Sequence, residues 1–105
     1  MNQEDKFQEM ARRNDVARKL GLGLTVTKKA AELPDLEELL YAVRSFNKFS
    51  TKDDPYGWHD LGRLEWRDQS VLWKIDYYDP TLHYFADPLS DDCKRVITVM
   101  LASEY

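Results

Sequence analysis

Between Arg63 and Tyr77, two runs of alternating apolar and polar residues, Arg63–Arg67 and Trp73–Tyr77, flank a short polar stretch. In LGRLEWRDQSVLWKIDYYDP (61–80), Leu64 and Trp66 fall on one side, and Arg63, Glu65 and Arg67 on the other. Beyond Asp68–Gln69–Ser70, Val71, Trp73, Ile75 and Tyr77 share a side, opposite Leu72, Lys74, Asp76 and Tyr78. Successive side chains of a strand point to opposite faces, so a period of two marks extended chain rather than helix. The pattern predicts a β-hairpin turning near residues 68–70. Two strands with one apolar face are marginal alone, so the rest of the chain must cover that face.

Two segments have the helical spacing to do so. In residues 4–20, Phe7, Met10, Ala11, Ala17 and Leu20 form a stripe, followed by Gly21 and Gly23 as a stop and the short strand candidate LTVT (24–27). Asn14 sits on that stripe, and an amide buried there needs hydrogen-bond partners. From Pro34, the residues Leu36, Leu39, Leu40, Val43 and Phe46 predict a second helix running to Asn47 or Lys48. LHYFADP reads as an edge strand or extended loop between Pro80 and Pro88. At the end, Ser90 is a candidate cap, and Cys93, Val96, Ile97, Met100 and Leu101 have helical spacing, although VITV also suits a strand. The expected order is α-β-α-β-β-α. This is an α+β fold: a small antiparallel or mixed sheet with a central β-hairpin, packed by about three helices.

A length of 105 residues suits one compact domain, 1–105, with residues 1–5 as a flexible start. One cysteine excludes an internal disulfide, and no apolar run approaches the length of a membrane span, so a cytoplasmic protein is expected. The net charge of -4 is uneven. Residues 1–30 carry seven Lys/Arg against four acids, and residues 53–92 carry ten acids against three bases. The acidic half argues against a broad nucleic-acid surface and suits a basic protein partner, a cation or simple solubility. Arg12, Arg13, Arg18, Lys19, Lys28 and Lys29 form a local basic patch, without interleaved aromatics or any zinc-finger or phosphate-loop motif.

DDPYGWHDLG (53–62) gathers the densest chemistry: three aspartates, a histidine, two aromatics, two glycines and a proline. His59, Asp60, Asp54 and Asp76, with Asp79 or His83, form a candidate divalent-metal set, and with bound water a small hydrolase centre. Without metal, His59 is a candidate proton carrier oriented by Asp60 or Asp76. Neither HExxH nor a cysteine–histidine cluster supports the metal set, and Cys93 reads as a small packing residue. The simplest role of the loop is a latch: Asp53 or Asp54 bonds backbone across the turn, Pro55 shapes it and Gly57 takes a positive φ. Its aromatics also make it a candidate contact surface. Tyr56, Trp58, Asp60 and Tyr78 are the expected binding residues, with Tyr84 and Phe85 adding flat area.

DDPYGWHDLG, WKIDYYDP, the later DP at 87–88 and RVITVMLASEY together resemble the bacterial family of uncharacterised proteins DUF3768, over Asn14–Asp15 to Tyr105. The family pattern at the loop looks like NDPYGEHDFG. Asp53, Trp58 and Leu61 depart from it here, and Trp58 removes a carboxylate from any catalytic or metal cluster. The resemblance implies no activity, cofactor or partner. The expected function is therefore non-enzymatic binding of a macromolecule through an acidic aromatic surface, with no cofactor. Inhibition of a basic nucleic-acid-processing protein in phage–bacterium conflict is one form of it. The rivals are a small metal-dependent hydrolase centred on His59 and Asp60, and a scaffold without catalysis.

Overall fold

The computed structural model describes residues 1–105. Helix α1 spans Gln3–Leu20, and Asn2 caps it by accepting the Asp5 N–H. Strand β1 (Leu24–Val26) follows, then the short helix α2 (Lys28–Ala31) and helix α3 (Leu36–Arg44). The hairpin forms from β2 (Leu61–Trp66) and β3 (Gln69–Tyr78), and β4 (Lys94–Leu101) leads into a 3₁₀ turn at Ala102–Glu104. No helix is long and apolar enough to cross a membrane.

The sheet has the order β1-β4-β3-β2. β2 and β4 run antiparallel to β3, and β1 runs parallel to β4, so the sheet is mixed. Trp66 pairs with Gln69, which leaves Arg67 and Asp68 as a two-residue loop with φ of 49° and 68°. Such a loop matches the twist of its strands, at the cost of left-handed backbone in two side-chain-bearing residues. Arg67 is held there by Asp35, 3.0 Å away, and by stacking over the Trp66 ring.

The alternation of β3 is realised as expected. Val71, Trp73 and Ile75 join Ile97 and Val99 of β4 in one core, closed by Ala17 of α1 and by Leu39 and Val43 of α3. Gly62 lies opposite Trp73, and a Cβ there would meet the indole at 2.4 Å. Glycine is thus required where the loop enters β2. Gly23 is similarly confined: its φ is 69°, and a Cβ would fall 2.2 Å from the Arg95 carbonyl oxygen.

Three expectations are corrected. The last segment is a strand rather than a helix, giving the order α-β-α-α-β-β-β with α2 as the third helix. β4 is interior to the sheet and buries Ile97 and Val99 on one face and Met100 on the other, so apolar side chains fill both faces. That removes a clean period of two, and the β-branched run Val96–Val99 favours the strand. Ser90 consequently caps no helix, and Cys93, half-buried, sits in the turn before β4 rather than on a helical stripe. Finally, α3 stops at Arg44, because Phe46 and Phe49 turn back to meet Trp73 edge-on at 5.5 and 6.0 Å.

Candidate functional site

The loop at 53–62 is organised around the buried carboxylate of Asp54. Its Oδ1 accepts the backbone N–H groups of Trp58 at 3.0 Å and His59 at 3.2 Å, and the Asp54 carbonyl accepts from Gly57. This is the latch anticipated from the turn residues, with Asp54 as its centre. It holds His59 at a φ of 58°, a conformation that costs a non-glycine residue free energy and must be enforced by its surroundings.

That backbone aims His59 away from Asp60. The imidazole Nδ1 faces the Asp15 carboxylate of α1 at 3.0 and 3.1 Å, and the ring stacks on Phe49 with centroids 3.9 Å apart and planes within 5°. A carboxylate only accepts, so Nδ1 carries the proton and Nε2, which has no protein partner, is free to accept or donate. Asp15 also takes Arg18 at 3.0 Å. The Arg18 side chain is 1% exposed, its guanidinium lying 4.8 Å from the Trp73 ring and 5.4 Å from the Phe49 ring. Its second amino group donates to the Phe46 carbonyl, and burial lowers its pKa against the opposing pull of Asp15.

Asn14, 0% exposed, joins the loop to the sheet. Its amide nitrogen donates to the Trp58 carbonyl at 3.0 Å and the Tyr77 hydroxyl at 2.9 Å, and its oxygen accepts from Arg95 at 2.6 Å. The amide expected to need partners thus has all of them. Tyr77 in turn donates to Asp60 at 3.0 Å. Burial pushes the Asp60 carboxyl above the ordinary aspartate range; the Tyr77 bond opposes this, and the nearby Asp54 adds to it. Burial, with Asp60 beside it, raises the Tyr77 phenol as well.

The candidate residues are therefore distributed among different partners. Asp54 holds loop backbone, His59 holds Asp15, Asp60 holds Tyr77, and Asp76 pairs with Lys74. The carboxylate that orients His59 is Asp15, not Asp60 or Asp76. Asp54 and Asp76 lie close enough to act on Asp60, but no three His, Cys, Asp or Glu side chains gather as a metal-holding group. Of the proposed contact residues, Tyr56 is exposed. Trp58 is not the open surface ring expected: it is half-buried, edge-on to Phe7 at 5.4 Å and stacked on Tyr56 at 5.0 Å. Tyr78 is half-buried and bridges to Phe85 through backbone. Arg12 and Arg13 are engaged by Glu9, which reduces the expected basic patch.

Asp15, noted only as part of the family pattern, Arg18, noted only in a basic patch, and Phe49 are the residues that the sequence did not place beside His59. Asp15 and Arg18, three apart on α1, were open to detection as a helical ion pair. No local signal joins either to His59, which is 44 positions from Asp15.

Residues 24–104 match the family DUF3768, described as a protein of unknown function. The chain belongs to DUF3768. No curated protein and no solved structure matches it. The span matched to DUF3768 contains the whole sheet and the Asp54 loop but begins after α1, so Asn14 and Asp15, expected within the resemblance, lie outside it. The orienting carboxylate of the histidine is thus supplied from beyond the matched region.

Proposed function

We propose that the chain is a binding protein, acting by stoichiometric contact with a basic surface of another protein rather than by turnover. The observation that carries this reading is the loop between β3 and β4. Tyr84 and Phe85 are 72% and 76% exposed there, beside the exposed Leu82. The backbone that carries these rings is held by a built turn: the Asp79 carboxylate accepts from the Thr81 hydroxyl at 2.8 Å and the His83 N–H at 3.1 Å, and the Asp79 N–H donates to the Tyr84 carbonyl. The hydroxyl bond, followed by the backbone bonds, keeps this carboxyl below the ordinary aspartate range. Aromatic side chains have only two side-chain torsions, so on a backbone already ordered they lose little conformational freedom on binding, which favours affinity.

Exposed Asp87, Asp91 and Asp92 follow on the same loop and supply the charge that selects a basic partner. The surface of Tyr56, Trp58, Asp60 and Tyr78 inferred from sequence thus gives way to one centred on Leu82, Tyr84 and Phe85, with Tyr56 exposed elsewhere. A nucleic-acid-processing protein, whose working face is basic, has the matching chemistry.

Affinity capture from a native cell, with mass spectrometry of what is retained, tests the reading when wild type is compared with Tyr84→Ala/Phe85→Ala of unchanged melting temperature. Two central aromatic contacts are worth about 2 kcal/mol or more together, about thirtyfold in affinity. A partner retained equally by the double variant refutes the assignment of this loop.

A further inference from the structure

The C-terminal half of α1, the last turn of α3 and the loop around Phe46–Phe49 enclose a cleft of about 540 Å³, lined by Asp15, Arg18, Lys19, Arg44, Phe49 and His59 among others. Three Lys/Arg side chains meet one carboxylate there, in a chain whose net charge is -4. Lys19 and Arg44 have no carboxylate within ion-pair distance. Each stands in the last turn of its helix, where a cation complements the helix dipole. That accounts for each cation separately. It does not account for the histidine set beside them.

The His59 ring is fixed by Asp15 at Nδ1 and by Phe49 on its face, and its backbone is fixed by Asp54 through the N–H. A latch alone needs no ring so constrained with one nitrogen left over. A compact ammonium, a guanidinium fork and an imidazole offer donors of different geometry to an anion with several oxygens. The volume is in the range of about 300–1,000 Å³ typical of small-molecule pockets and exceeds what an inorganic anion fills. The remaining wall is made by Tyr41, Ser45, Phe46 and Asn47, and its two aromatic side chains suit a flat organic group.

We propose that this cleft binds a phosphate monoester, its phosphate held by Lys19, Arg44 and the Nε2 of His59 and its organic part lying along Tyr41 and Phe46. The site is independent of the contact loop between β3 and β4. Either phosphate protonation state has a complement: neutral imidazole accepts a phosphate hydroxyl, and imidazolium donates to a phosphate oxygen.

The test is titration of the full chain with phenyl phosphate, inorganic phosphate and sodium chloride at matched ionic strength, following the His59 ring and backbone amides by NMR. Saturable shifts at His59, Lys19 and Arg44 with phenyl phosphate, weaker ones with inorganic phosphate and none with chloride are expected. Lys19→Ala and Arg44→Ala each remove a charge-assisted bond and weaken binding about tenfold or more. His59→Gln weakens it too, and Lys28→Ala/Lys29→Ala, on α2 outside the cleft, does not. Lys19 and Arg44 are exposed, so their variants keep the fold, with thermal melting as the check. No saturation by about 10 mM overturns the proposal, as does equal weakening by the α2 variant. Inorganic phosphate bound as tightly as the ester overturns the assignment of the aromatic wall.

Discussion

Replacing Asn14 by alanine removes the one side chain that ties α1 to both the Asp54 loop and the sheet. Three bonds are lost: two from the amide nitrogen, to the Trp58 carbonyl and the Tyr77 hydroxyl, and one from Arg95 to the amide oxygen. A neutral bond contributes about 1 kcal/mol net and one to a charged group about 1.5–3 kcal/mol, so the sum is about 4 kcal/mol. Water entering the vacated space returns part of this, leaving a loss of about 3 kcal/mol. In a domain of this size, such a loss lowers the melting temperature by on the order of 15 °C. Asn14→Asp retains the acceptor for Arg95 but sets a carboxylate against the Trp58 carbonyl, and so gains little over alanine at neutral pH. Urea unfolding followed by tryptophan fluorescence measures the loss. A double-mutant cycle with Tyr77→Phe measures the coupling, expected at about 1 kcal/mol. A loss below about 1 kcal/mol for Asn14→Ala, or a cycle with no coupling, would refute the role of Asn14 as the junction.

Gly62→Ala drives a methyl group into the Trp73 indole, which is itself enclosed by Phe46, Phe49 and the Arg18 guanidinium. It should cost about 1–3 kcal/mol of overpacking, read by chemical denaturation, whereas Gly57→Ala meets no neighbouring atom and costs only its left-handed backbone. The Asp60 carboxyl, raised in the folded state chiefly by burial, makes the native protein hold a proton that the unfolded chain releases. Stability is therefore present at pH below the ordinary aspartate value and falls as pH rises from there through the raised folded value. Asp60→Asn keeps an acceptor for Tyr77 and should remove that fall; parallel wild-type and variant stability curves from pH 3 to 7 would contradict it.

Legibility in the sequence followed the range of the physics. The hairpin was readable because one face of β3 is apolar and the other mixed, so its period survives in the residues themselves. Asn14 was readable as a polar interruption of an apolar stripe, and Asp54 as a turn-forming acid before proline. β4 was misread because an interior strand apolar on both faces loses its alternation. The pairing of His59 with Asp15 left no local trace: it depends on how α1 lies across the loop, and the sequence suggested only the adjacent Asp60 or Asp76 of the hairpin. Trp58 was misplaced for a related reason, since its cover comes from Phe7 near the start of α1.

The place of β4 in the sheet also sets an order of assembly. It follows the other three strands of the sheet in the chain, yet it lies between β3 and β1, and β1 pairs with no other strand. The hairpin can close on itself as soon as it emerges from the ribosome, because its partners are neighbours in sequence. β1, made long before, has to wait until β4 has joined the hairpin and offers it an edge. Closing that pair spans most of the chain, the kind of long loop that slows folding. A chain cut before β4 would therefore leave its first strand unpaired and one edge of β3 open to other chains.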